Sequence, residues 1–174
     1  MKKTLSHVLT IAVLSLTLPA RSVEPLPDSV RQQATAGFTA WARVVSGLGL
    51  SKTADLEMGA VTPGGAAGSI TVSADDTRRA SGGVSTAASS YGAARFAVSG
   101  AAAADVSRLR VLLPDRVVLS GGSGGEMLTA HAFTGRLVGS GAGVELIVGA
   151  TVDVGAGQPA GRYTGTFTVT VNES

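Results

Sequence analysis

Four glycine clusters limit what this chain can become: "PGGAAG" (63–68), "SGG" (81–83), "SGGSGG" (120–125) and "GSGAG" (139–143). A glycine inside a helix costs about 1 kcal/mol relative to alanine, so runs of them stop helices. The same residue supplies positive φ at turns at no steric cost. Between the clusters lie short apolar runs: "GSITVS" (68–73), "ARFAVSG" (94–100), "RLRVLLP" (108–114), "RVVLS" (116–120), "EMLTAHAFT" (126–134) and "VELIVGATVDV" (144–154). The most regular is the closing "GRYTGTFTVTVNES", where Tyr163, Gly165, Phe167, Val169 and Val171 alternate with Thr164, Thr166, Thr168, Thr170 and Asn172. Strands at this spacing, without long helical patterns between them, predict an all-β antiparallel sandwich. Pro114 and Pro159 fall at run boundaries, where a missing N–H does least harm. No repeat of solenoid or propeller length is present.

The chain has 24 Gly but only one Trp, two Tyr and four Phe, so its core must be built chiefly from Val, Leu, Ile and Ala. It has no Cys, which excludes thiol chemistry, cysteine metal ligation and a lipidated cysteine. Stability then rests on packing alone.

The first 22 residues read as a secretory signal, with Lys2 and Lys3, the apolar "VLTIAVLSLTL" (8–18) and small residues in "PARS". That apolar run is shorter than the roughly 20 residues a spanning helix needs. Lys2, Lys3 and Arg21 lie within the signal. After cleavage 11 of the 14 Lys and Arg remain against 12 Asp and Glu, and the formal charge falls from +2 to −1. The positive charge therefore argues for neither nucleic acid nor anionic lipid. The expected product is exported to the periplasm, cell surface or medium, with no membrane insertion after cleavage.

Residues 23–45 form an N-terminal arm or helix ahead of a sandwich domain over 46–174. Val30, Ala34, Phe38, Trp41 and Val45 follow helical steps, and Ser29 with Gln32 has capping-box spacing. The rival is a strand, since Phe38, Ala40, Ala42 and Val44 also alternate and Gly37 weakens a helix.

Little in the chain offers chemistry. "GGSGG" (121–125) fits G-x-S-x-G around Ser123, but a strand-like run follows where a nucleophile elbow needs a helix. "GAGQPA" (155–160) fits G-x-G-x-x-A, yet Pro159 and Gly161 lead into the last strand instead of a helix. His131, the only histidine after the signal, faces solvent or a sheet edge by alternation. Asp75 and Asp76 supply too few oxygens for calcium and read as a polar turn. "NES" (172–174) matches a glycosylation acceptor but sits at the terminus. No catalytic, metal or cofactor-binding residue is expected.

The order of "ADLEMGAVTPGGAAGSITVSADDTRRASGGV", "AARFAVSG", "RVLLP" and "VGATVDVGAGQPAGRYTGTFTVTVN" resembles the bacterial secreted family of domain of unknown function 4402, over roughly Val45 to Asn172. The resemblance implies a pilin-like, immunoglobulin-like β-sandwich with a regular terminal strand. It carries no catalytic residues. The chain departs from the pattern at its end, where Glu173 stands in place of a terminal aromatic.

Together these readings predict a non-catalytic surface protein, a fimbrial or pilin-like subunit that self-associates into fibres with help from a periplasmic chaperone. Tyr163, Phe167, Val169 and Val171 would form the assembly edge, and Phe38, Ala40, Ala42 and Val44 a donor arm entering a neighbour's groove. The alternative is a monomeric binding or adhesion module with a self-complete sandwich. Its loops are poor in anchoring residues apart from Arg78, Arg79, Arg108 and Arg110.

Overall fold

A computed structural model describes residues 34–44, 48–100, 105–121, 125–140 and 143–173. The expected signal peptide lies outside them. The strands are β1 (Ala34–Val44), β2 (Gly49–Ala54), β3 (Leu56–Val72), β4 (Arg78–Thr86), β5 (Ala94–Ser99), β6 (Leu109–Leu112), β7 (Arg116–Gly121), β8 (Met127–Ser140), β9 (Gly143–Val154) and β10 (Gly161–Glu173). One turn of 3-10 helix, Val106–Arg108, is the only helical element among the described residues.

The helical reading of the N-terminal segment is corrected by β1. Phe38 and Ala40 point into the core while Trp41 lies 63% exposed, so the step that put Trp41 on the same stripe as Phe38 does not describe this backbone. Period two won over period 3.6 because β1 has a neighbour along its whole length on one side. It runs parallel to β10 from Ala34 beside Gly161 to Val44 beside Val171, and antiparallel to Leu56–Val61 of β3 on the other side.

Sheet closure is the second departure from expectation. The all-β class holds, but the sheet runs β9-β8-β7-β10-β1-β3 and returns to β9, a closed barrel of six strands instead of two separate layers. Closure depends on strands that change partners. β3 pairs with β1 at Leu56–Val61, bends through its glycine tract with a register shift between Pro63 and Gly68, and pairs with β9 at Gly68–Val72. Pro63, opposite Val84, is the last paired residue before the shift, so it stands next to an irregularity of the kind that admits proline in a sheet. β9 likewise pairs with β5 at Val144–Val148 and with β3 at Ala150–Val154.

Gly149 stands at that fork. A Cβ there would collide with the Val72 carbonyl and with the backbone of Ser73 and Ala74. β6 and β7 lie along β10 in the same direction, interrupted at Leu113, Pro114 and Asp115. β2 and β5 extend the sheet beyond β9, and β4 flanks β3.

The core is filled from the inner faces: Leu56, Ile70 and Val72 from β3, Val148 and Val152 from β9, Leu119 from β7. All four phenylalanines meet there. Phe167 is the hub, with ring centroids 6.0 Å from Phe38, 6.5 Å from Phe96 and 5.2 Å from Phe133. Such contacts add roughly 0.5–1.5 kcal/mol each beyond the area they bury. Tyr163 is fully buried, and its hydroxyl donates to the Pro159 carbonyl at 2.8 Å and accepts from Gln158 at 3.0 Å. A buried phenol needs that partner to offset lost water. The turn the sequence offered as a dinucleotide fingerprint is thus the one that holds this tyrosine.

Gly149→Ala is expected to lower stability by about 2 kcal/mol or more, because the added carbon would press on the Val72–Ala74 backbone, which cannot turn aside as a flexible side chain could. Urea unfolding measures it; an unchanged midpoint would contradict the close approach at the fork.

Candidate functional site

The residues expected to form the assembly edge and the donor arm lie side by side. Tyr163, Phe167, Val169 and Val171 are buried on the inner face of β10. Phe38 and Ala40 are buried on the inner face of β1, and Ala42 packs partly buried against the same core. Ala40 sits beside Phe167, Ala42 beside Val169 and Val44 beside Val171. Phe38 meets Phe167 edge to face at an interplanar angle of 80°. β10 is therefore flanked by β1 on one side and by β6 and β7 on the other. The seam between β10 and β3 is occupied by β1 of the same chain.

On the far side of β1 the ladder is irregular. Ala36 pairs with Gly59 but Gly37 pairs with Glu57, leaving Met58 as an extra residue in β3. Gly59 adopts φ 74°, a left-handed value that a side chain resists. Arg78 closes in over this bulge: its guanidinium donates to the Met58 carbonyl at 3.4 Å and the Ala87 carbonyl at 3.0 Å, and it lies 4.4 Å from the centroid of the Tyr91 ring. Ser89 accepts from the Ala60 N–H at 2.6 Å. Arg78 is thus engaged in holding the turn at 87–91, while Arg79 and Arg110 are exposed and Arg108 pairs with Glu173 at 2.6 Å.

The acids at 75 and 76 part company. Asp75 accepts from the Thr77 hydroxyl at 2.8 Å and from its N–H at 3.2 Å, and these bonds hold its carboxyl below the usual range. Asp76, at φ 59°, accepts from the Ala93 N–H at 2.9 Å and pairs with Arg95, which also binds Glu145 at 2.8 Å. Burial alone would lower the pKa of Arg95, but the two carboxylates outweigh it and raise it. This clamp ties the 73–77 turn to β5 and β9. It escaped sequence reading because 76, 95 and 145 are far apart in the chain and no local pattern links them.

His131 meets an acid, Asp153, with 3.0 Å between Nε2 and Oδ1, on an exposed part of the β8–β9 face. Ser123 lies outside the described residues. No group of three or more His, Cys, Asp or Glu that could hold a metal occurs among the described residues. No helix among them is long and apolar enough to cross a membrane.

The family model described as Domain of unknown function (DUF4402) matches residues 48–172. The chain belongs to the DUF4402 family. No curated protein and no solved structure matches it. The DUF4402 match begins after β1 ends, so the strand that closes the barrel lies ahead of the matched segment.

Two aromatic residues of β1 should respond very unequally to truncation. Phe38→Ala is expected to cost about 3–5 kcal/mol. Trp41→Ala should stay within about 0.5 kcal/mol. Thermal unfolding of both variants measures this, and equal losses would mean that β1 does not alternate as described.

Proposed function

We propose that this protein is an exported, non-catalytic structural subunit of the bacterial surface, which assembles by passing β1 to a neighbouring copy. The observation that carries the reading is the eleven-residue β1, paired in register with β10 along its full length, ahead of the family-matched segment. Any copy's β1 could occupy the same seam, because the bonds that hold it are main-chain bonds plus the seating of Phe38. Its other inward residues, Ala34, Ala36 and Ala40, are small and easily withdrawn.

The pilin-like, immunoglobulin-like description of the domain belongs with this proposal, supported by the way β3 and β9 change partners between two parts of the sheet. A non-catalytic role is supported by the exposed setting of the His131–Asp153 pair. Export through the signal at 1–22, fibre formation and escort by a periplasmic chaperone complete the reading. No nucleic-acid partner is proposed.

A second reading, a monomeric secreted binding module, is favoured by one observation: the seam is filled within the chain itself.

Mass in solution and electron microscopy of the secreted protein separate the two. Assembly predicts fibres or detergent-resistant oligomers, lost when residues 23–44 are deleted and partly blocked by an added peptide spanning 34–44. A clean monomer at high concentration, with no fibres, would overturn assembly and leave the binding module.

A further inference from the structure

Gly37 is a missing tooth in the outer face of β1. Its neighbours along the strand, Thr35 and Thr39, are exposed, and a Cβ at Gly37 would find nothing within 4 Å. In the register Gly37 lies between Thr164 of β10 and Glu57 of β3. Adjacent strands are about 4.8 Å apart, so the walls on either side stand roughly 10 Å from each other. Two shallow hollows, of about 130 Å³ and about 70 Å³, meet on this floor, and both are lined by Gly37, Glu57 and Arg162. Ser89 and Ser90 border the first, Asp55 and Thr39 the second.

The electrostatics of the slot are balanced. Asp55 is already paired with Lys52 at 2.7 Å. Glu57 and Arg162 have no side-chain partner among the described residues, and their formal charges cancel. A carboxylate that only accepts and a guanidinium that only donates, both lining hollows bordered by the hydroxyls of Thr35, Thr39, Thr164 and Ser89, suit a ligand whose groups do both. Four residues along the same face stands Trp41, the chain's only tryptophan and 63% exposed. At about 3.3 Å per residue it lies roughly 13 Å from Gly37, the reach of a short chain of sugars instead of one.

We infer that the outer face of β1, from the Gly37 slot between Glu57 and Arg162 to Trp41, binds a neutral oligosaccharide. One sugar seats its vicinal hydroxyls on Glu57 and Arg162, and another lays its C–H face on the indole. The charge balance selects against a polyanion. A peptide added as an extra strand is disfavoured because β1 already has partners on both sides at Gly37. The inference holds whether β1 belongs to the same copy or to a neighbour, so it stands apart from the assembly reading.

The probe is a panel of neutral hexasaccharides (gluco-, manno-, galacto- and chito-configured), titrated into the mature protein while Trp41 emission is followed. At least one member is expected to produce a saturable shift. Calorimetry with that sugar should then show a loss of affinity of about tenfold or more in each of Trp41→Ala, Glu57→Gln and Gly37→Thr. Gly37→Thr fills the slot with a residue that suits a strand, and an unchanged melting temperature in all three separates lost binding from lost folding. Failure of the whole panel would overturn the inference. So would binding that Gly37→Thr and Glu57→Gln leave intact, or binding confined to acidic polysaccharides or peptides. Fibre formation by these variants bears only on assembly.

Discussion

The rest of the structure depends on the parallel ladder between β1 and β10. Without it the sheet would end at β3 on one side and β10 on the other, and the rings of Phe167 and Tyr163 would face solvent across an open seam. With it, eleven consecutive residues close the barrel and bring Phe38 against Phe167. A chain with no disulfide has to obtain such closure from packing and main-chain hydrogen bonds, and here both act along the same strand. The regularity of the closing strand fits that burden: β10 offers a pairing surface to β1, β6 and β7 alike.

Glycine serves two purposes in this arrangement. At Gly59 and Gly82 it supplies positive φ. At Gly149 its lack of a side chain lets β9 exchange β5 for β3 without a gap in the sheet. The clusters that punctuate the sequence are thus only partly turns: the tract at 63–68 lies inside β3, where it provides the bend by which one strand serves two partners.

Much of this was legible in the chain itself. β9 and β10 were readable because their alternation is long and uninterrupted, and β5, β6 and β7 because Gly or Pro bounds them. β1 was ambiguous for a physical reason: Phe38 and Trp41 are three apart, which fits one face of a helix and opposite faces of a strand. The difference is decided by β10, more than a hundred residues away in sequence. β2 and β4 were missed because their residues are mostly exposed and carry little apolar alternation. Barrel closure was out of reach because it is set by which strands meet, and no local pattern encodes the change of partner at Gly149. The slot at Gly37 was visible only as a weakness in a helix; its depth comes from neighbours on two other strands.

Because β1 and β10 point the same way, whatever precedes Ala34 and whatever follows Glu173 leave the barrel at opposite poles. Tension between those poles pulls the two strands past each other along their own axes. Every rung of the ladder then bears load together instead of parting one by one, and the geometry is that of a rivet in shear. Mechanical resistance of this kind follows from strand direction alone, whatever the thermodynamic stability of the domain.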